Sequence, residues 1–147
     1  MTKVAFEPWH LVKIPDMAGP RRNDDSLLAW GVRQAQFLPN VTFMVGDVPM
    51  ACGGLGVLHE GVAEVWLAMS SRVGPHLVRE VRGQLEEWIV DLHLHRVQTV
   101  VDASFEQGCA FVQRVIGMEL EGVLRCMGPD REDYLLYARV IDGSRSR

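Results

Sequence analysis

The stretch from Glu64 to Leu92 constrains this chain more than any other. An apolar run, Glu64-Val65-Trp66-Leu67-Ala68-Met69, breaks at Ser70-Ser71-Arg72-Val73-Gly74-Pro75. Beyond the break Leu77, Val78, Val81, Leu85, Trp88, Ile89 and Leu92 recur at spacings that one helical stripe collects, while Arg79, Glu80, Arg82, Gln84, Glu86, Glu87 and Asp91 fall opposite. The first run reads as a strand and the second as an amphipathic helix. A strand entering a helix through a glycine-bearing turn aims the first backbone N–H groups and the positive end of the helix dipole at whatever sits in the turn. That arrangement suits a phosphate or pyrophosphate.

The rest of the chain supplies a sheet and helices around this unit. Phe6 to Ile14, bracketed by Pro8 and Pro15, reads as a first strand near an edge, because proline cannot donate to a ladder. Asp25 or Ser26 caps a helix carrying Leu27, Leu28, Trp30, Gly31, Gln34, Ala35 and Leu38, in which Gly31 permits close packing. Val41–Val45 and Val48–Leu58 form an antiparallel hairpin about Gly46-Asp47. Gly53-Gly54-x-Gly56 lies inside a strand pattern, so it reads as a bulge or a close backbone contact and not as a nucleotide loop. Val97–Asp102 is a further strand, and Ser104-x-x-Gln107 has the form of a capping box opening a helix with Phe105, Cys109, Val112, Val115 and Ile116 on one stripe. Leu120–Met127 and Tyr134–Ile141 close the fold across Gly128-Pro129-Asp130-Arg131. The order β-α-β-β-β-α-β-α-β-β predicts an α/β (α+β) domain with a mixed sheet and helices on both faces. It spans residues 1–141, with 142–147 as a flexible tail.

Composition narrows the function classes. At 147 residues, 48% hydrophobic and 23% charged, the chain has the profile of one globular domain. A net charge of -4 with interleaved basic residues argues against a nucleic-acid partner, whose phosphates demand a concentrated basic face. No apolar run reaches membrane-span length and the first residues hold no apolar leader core, so a cytoplasmic protein with no membrane partner is expected. Cys52, Cys109 and Cys126 are odd in number and widely spaced, which predicts free structural thiols. His93-x-His95 places two imidazoles well apart on a helix with no completing ligand, so no metal site is expected.

This order, with a phosphate-type turn after the middle strand, resembles the GNAT superfamily of acyl-CoA-dependent N-acetyltransferases, whose central sheet is mixed and mostly antiparallel. The segment Cys109-Ala110-Phe111-Val112-Gln113-Arg114-Val115-Ile116-Gly117-Met118-Glu119-Leu120-Glu121-Gly122 is similar to the family's late helix running into a Gly-Phe signature, with Met118 in place of Phe. Trp9-His10-Leu11, Gly74-Pro75-His76-Leu77-Val78 and Asp133-Tyr134-Leu135-Leu136-Tyr137-Ala138-Arg139-Val140 resemble, more narrowly, short GNAT-like proteins of tailed bacteriophages and prophages, some of them virion proteins. The resemblance implies acetyl-CoA as cofactor. The backbone of Leu67, Ala68 and Met69 would pair with the pantetheine arm, and Arg72, Val73, Gly74, His76 and Leu77 would receive the pyrophosphate. The family's Gln/Arg-x-x-Gly-x-Gly/Ala is here Ser71-Arg72-Val73-Gly74-Pro75-His76, and a proline without N–H beside a bulky histidine points to weakened or lost cofactor binding.

Acetyl transfer to an amine needs a base for the ammonium proton and often an acid for the departing thiolate. By the resemblance Glu64 is the base candidate, against the alternative of a solvated strand carboxylate. Gln113, Phe111 and Val112 occupy the place of the family's acidic tyrosine, leaving Tyr134 as the acid candidate ahead of Tyr137. Two readings follow. One is an N-acetyltransferase acting on an amine. The other is a phage-type GNAT-like virion or assembly protein, in the host cytoplasm or the virion, with phage structural proteins as partners. A homo-oligomer is compatible with either through the edge of the last hairpin.

Overall fold

Alternation along two central strands divides the core into two layers. The computed structural model describes residues 1–20 and 22–141, and the expected tail lies outside the described residues. In chain order the elements are β1 (Thr2–Val4), α1 (Trp9–Lys13), α2 (Asp24–Ala35), β2 (Asn40–Val45), β3 (Val48–His59), β4 (Val62–Met69), α3 (Pro75–Asp91), β5 (Arg96–Asp102), α4 (Glu106–Arg114), β6 (Glu119–Leu124) and β7 (Tyr134–Val140). They form a seven-stranded sheet in the order β1-β2-β3-β4-β5-β7-β6. Every strand pair is antiparallel except β4 with β5, which is the mixed sheet the sequence predicts. On one face α1 and α2 lay Phe6, Leu11, Ile14 and Leu27 against Cys52, Trp66 and Ala68. On the other, α3 sets Leu77 and Val81 on Val41, Phe43 and Ala51, and Leu85 and Ile89 join Leu55, Ala63, Val97, Ile116 and Tyr137.

Several local expectations are overturned. The predicted first strand over Phe6–Ile14 is instead the short helix α1, preceded by β1. Pro8 takes helical dihedrals at its start (φ -54°, ψ -34°), and burial of Leu11 and Ile14, three residues apart, follows a helical rather than an alternating period. The cap of α2 is Asn23, whose side chain accepts from the Ser26 N–H at 2.8 Å, and not Asp25 or Ser26. The capping box at Ser104 does not form. The Ser104 hydroxyl and N–H both bind the Asp102 carboxylate (2.6 and 2.8 Å), and α4 begins behind an uncapped Phe105. The last hairpin is shorter than expected, because Cys126 turns the chain at φ +56° before Met127. No bulge falls at Gly53-Gly54. Those glycines make the close approach instead, since a Cβ on Gly54 would lie 2.6 Å from Trp66 Nε1.

Two buried or half-buried groups make stability depend on pH. His10 is 2% exposed, its Nδ1 accepts from the Glu7 N–H (3.1 Å) and it lies 2.8 Å from Thr42 Oγ1. Burial pushes its pKa below the ordinary 6.5, so the folded state resists a proton that the unfolded chain accepts. Stability is therefore complete above that value and falls as the pH drops through it. Glu86 behaves likewise at lower pH. Its bidentate bond to Arg139 (2.6 and 3.0 Å) holds its carboxyl below the usual 4.5, and that contribution is lost as pH falls through the depressed value. Urea midpoints are expected to decline between neutral pH and about pH 5.5 and to decline further in stronger acid. A profile flat to about pH 5.5 means that His10 is protonated as readily folded as unfolded. No helix of the described residues is long and apolar enough to cross a membrane.

Candidate functional site

The site begins where two strands part. β4 and β5 pair in parallel only at Val62–Arg96, Ala63–Val97 and Glu64–Gln98. Past Glu64, β4 follows β3 to Met69–Ala51, while β5 follows β7 to Asp102–Tyr134, and a cleft opens between them. The Ser70 N–H donates to Met50 O (2.9 Å), which sets the phase of the ladder: even-numbered residues of β4 bond to β3 and odd-numbered ones face the cleft. Val65 O accepts from the Thr99 hydroxyl (2.8 Å) and Met69 O from the Ala18 N–H (2.8 Å). Among the described residues, the N–H and C=O of Leu67 and the N–H of Met69 have no partner. Ala68 departs from the expected role, because its backbone is committed to Cys52 of β3 and its side chain is buried beneath α1 and α2.

The turn after β4 leads to a row of open donors. Gly74 precedes α3 in extended backbone (φ -94°, ψ -179°), and no described residue lies within 4 Å of where its Cβ would be. Among the described residues the amides of Val73, Gly74, His76 and Leu77 make no hydrogen bond within the chain, and Pro75 has none to offer. The first turn of α3 carries no acid. These amides and the helix dipole can hold an anion. His76 is exposed, while Leu77 is buried in the core and offers only its backbone. Arg72 is already engaged. Its Nε and Nη2 reach Asp16 Oδ2 at 2.6 and 2.5 Å.

Glu64 and Tyr134 lie on the α1–α2 side of the sheet but are not brought together. Glu64 stands at the last β4–β5 pair, half-buried, and its carboxylate makes no hydrogen bond or ion pair among the described residues. Tyr134 pairs with Asp102, four residues beyond Glu64's partner Gln98, which is about 13 Å along β5. Its hydroxyl accepts from Arg22 Nη2 (3.5 Å), whose guanidinium lies over the Trp30 ring (5.8 Å). Tyr137 is on the opposite face, 2% exposed, and burial together with the Cys109 thiol pushes its phenol up to about 12. Sequence reasoning missed Thr99, an ordinary β-branched strand residue until its hydroxyl is seen on Val65 O. It also missed Asp16 and Ala18, which carry no motif.

Between β4 and α3 lies a small apolar cavity of about 60 Å³ lined by Val65, Leu67, Leu85, Trp88, Phe111 and Val112 among others. The three cysteines are free, and burial pushes the Cys52 thiol up to about 12, which removes it as a nucleophile. Among the described residues no group of three or more His, Cys, Asp and Glu side chains could hold a metal ion.

The sequence matches no protein-family model and none of the curated proteins compared with it. The structure is similar to Ard1 from Thermoplasma volcanium, at TM-score 0.74 and 12% identity over 95% of this chain and 97% of that one. It is also similar to a GNAT-family acetyltransferase from Streptococcus pneumoniae (TM-score 0.62, 13% identity, 82% of this chain and 77% of that one). A third similar structure is the microcin self immunity acetyltransferase MccE in complex with acetyl-CoA and AMP (TM-score 0.62, 13% identity, 82% and 73%). These likenesses show a shared fold, that of the GNAT acetyltransferases.

Proposed function

We propose that this chain is an acetyl-CoA-dependent N-acetyltransferase acting on an amine. The observation that carries the reading is the parting of β4 from β5 just past Glu64, which leaves the Leu67 backbone unpaired on the strand that leads into the open amides at Gly74. The donor set suits the cofactor. Gly74, His76 and Leu77 offer N–H groups to a pyrophosphate, Val73 adds another, and Leu67 with Met69 N–H offers the strand edge that a pantetheine amide requires. When bound, acetyl-CoA supplies an activated acyl group as a thioester. Glu64, unpaired and beside the apex of the cleft, takes the proton from the incoming ammonium, directly or through water. Thr99 holds Val65 O and so fixes the apex against closure by β5. Tyr134, about 13 Å along the strand, is badly placed as acid for the same thioester, so solvent protonates the thiolate.

A second reading, a GNAT-like scaffold of the phage assembly kind with little catalysis, draws on Pro75, on the small cavity and on the Asp16 carboxylate at Arg72. Thermal unfolding with acetyl-CoA separates the two. Ligand at 100 times its Kd adds about 2.7 kcal/mol, so the midpoint is expected to rise with concentration. A midpoint unmoved by millimolar acetyl-CoA removes the enzyme reading and leaves the scaffold.

A further inference from the structure

We propose that the segment Asp16–Gly19 is a built-in occupant of the cofactor cleft, which the ligand displaces in order to bind. The proposal rests on the cofactor reading above and adds its regulation. After α1 the chain turns at Asp16 with φ +45° and runs antiparallel along the end of β4, Met17 facing Ser70. The Ser71 N–H and hydroxyl both donate to Asp16 O (2.9 Å each), and the Ala18 N–H donates to Met69 O (2.8 Å). Met69 is one of the odd-numbered residues of β4 that face the cleft, so the segment sits on the same edge that leaves Leu67 open. A phosphorylated arm running from the Gly74 turn to Leu67 must cross Met69 to Ser71, and that is the stretch already covered.

A second, independent feature agrees. The Asp16 carboxylate is held by Arg72, so an anion of the chain's own stands beside the turn whose amides await a phosphate. Farther on, Gly19 meets the Phe105 ring, 3.1 Å from where a Cβ would be, so the segment bridges the mouth from β4 to the start of α4. Its charged attachment is weak. Asp16 and Arg72 are 59% and 65% exposed, and a pair so solvated shifts an equilibrium by about fivefold at most. Displacement also frees the Arg72 guanidinium for a charge-assisted contact with phosphate.

The test is amide hydrogen exchange on the full chain with and without saturating coenzyme A, together with the Kd of coenzyme A for wild type and Asp16→Asn. This substitution keeps the side-chain size and the backbone carbonyl that Ser71 uses. Protection at Ala18 and Ser71 is expected to fall on binding, against the usual gain, while the first turn of α3 gains protection. Asp16→Asn is expected to bind about three- to fivefold more tightly. Retained protection at Ala18 and Ser71 in the bound protein, or an Asp16→Asn Kd equal to or weaker than wild type, overturns the proposal. Should the variant fail to fold, the wild-type exchange pattern decides. If coenzyme A moves the midpoint of neither protein, the cofactor reading has failed and the displacement model goes with it. If it moves that of wild type and protection persists, only the displacement model has failed.

Discussion

Gly54→Ala is expected to destabilise the protein by about 2–3 kcal/mol, although one methyl is all it adds. Gly54 faces Trp66 across the β3–β4 ladder, and a Cβ there would lie 2.6 Å from the indole Nε1, 2.8 Å from Pro39 O and 3.0 Å from Asn40 Cβ. None of these can withdraw easily. Pro39 O accepts the Leu55 N–H (3.0 Å), which ties it to the sheet. The indole is wedged between the rings of Phe6 (4.8 Å) and Trp30 (5.3 Å), both packed edge-on, and its N–H is buried without a partner among the described residues. Gly56→Ala, two residues along the same strand with no described residue within 4 Å of where its Cβ would be, is the control. It is expected to be neutral or to stabilise by up to about 1 kcal/mol, since alanine narrows the unfolded ensemble. Equal urea midpoints for the two variants would show that Trp66 moves aside freely.

Gly74→Glu is expected to do the opposite, sparing the fold and abolishing ligand-dependent stabilisation. Its φ of -94° suits any residue and the space at its Cβ is open, so no strain arises. A carboxylate at the cap of α3 favours the helix by about 0.3–1 kcal/mol, so the unliganded midpoint should hold or rise slightly. The same carboxylate stands before the amides of His76 and Leu77 and repels a pyrophosphate. The stabilisation of about 2.7 kcal/mol that wild type gains at 100 times Kd should then vanish under the same conditions. A variant that still responds to acetyl-CoA like wild type places the phosphate elsewhere.

Much of this architecture is legible in the sequence because it rests on local period. The stripe from Leu77 to Ile89 and the hairpin about Gly46-Asp47 announce α3 and the β2–β3 pair without help from distant residues. The short helix α1 is hidden because its five residues are too few to show a period between two prolines. In the site, the turn at Gly74 is visible as a glycine between a strand and a helix pattern, whereas Glu64 is singled out only by the family resemblance. Ala68 does not, since its loss to β3 depends on a phase set by the bond from Ser70 to Met50. The choice between Tyr134 and Tyr137 turns on parity, three residues apart on one strand and so on opposite faces. Asp16, Ala18 and Thr99 matter only through what folding brings beside them.

The β4–β5 seam is three residue pairs long, and through it the antiparallel plate β1–β4 meets the antiparallel plate β5–β7–β6. Each plate is zipped largely by neighbours in the chain, whereas the seam closes only after α3 has crossed over. The two plates are thus joined like the covers of a book along a short spine of Val62, Ala63 and Glu64, with the Thr99 hydroxyl on Val65 O as one further tie. The proposed base stands at the inner end of that spine, at the point where the covers begin to separate.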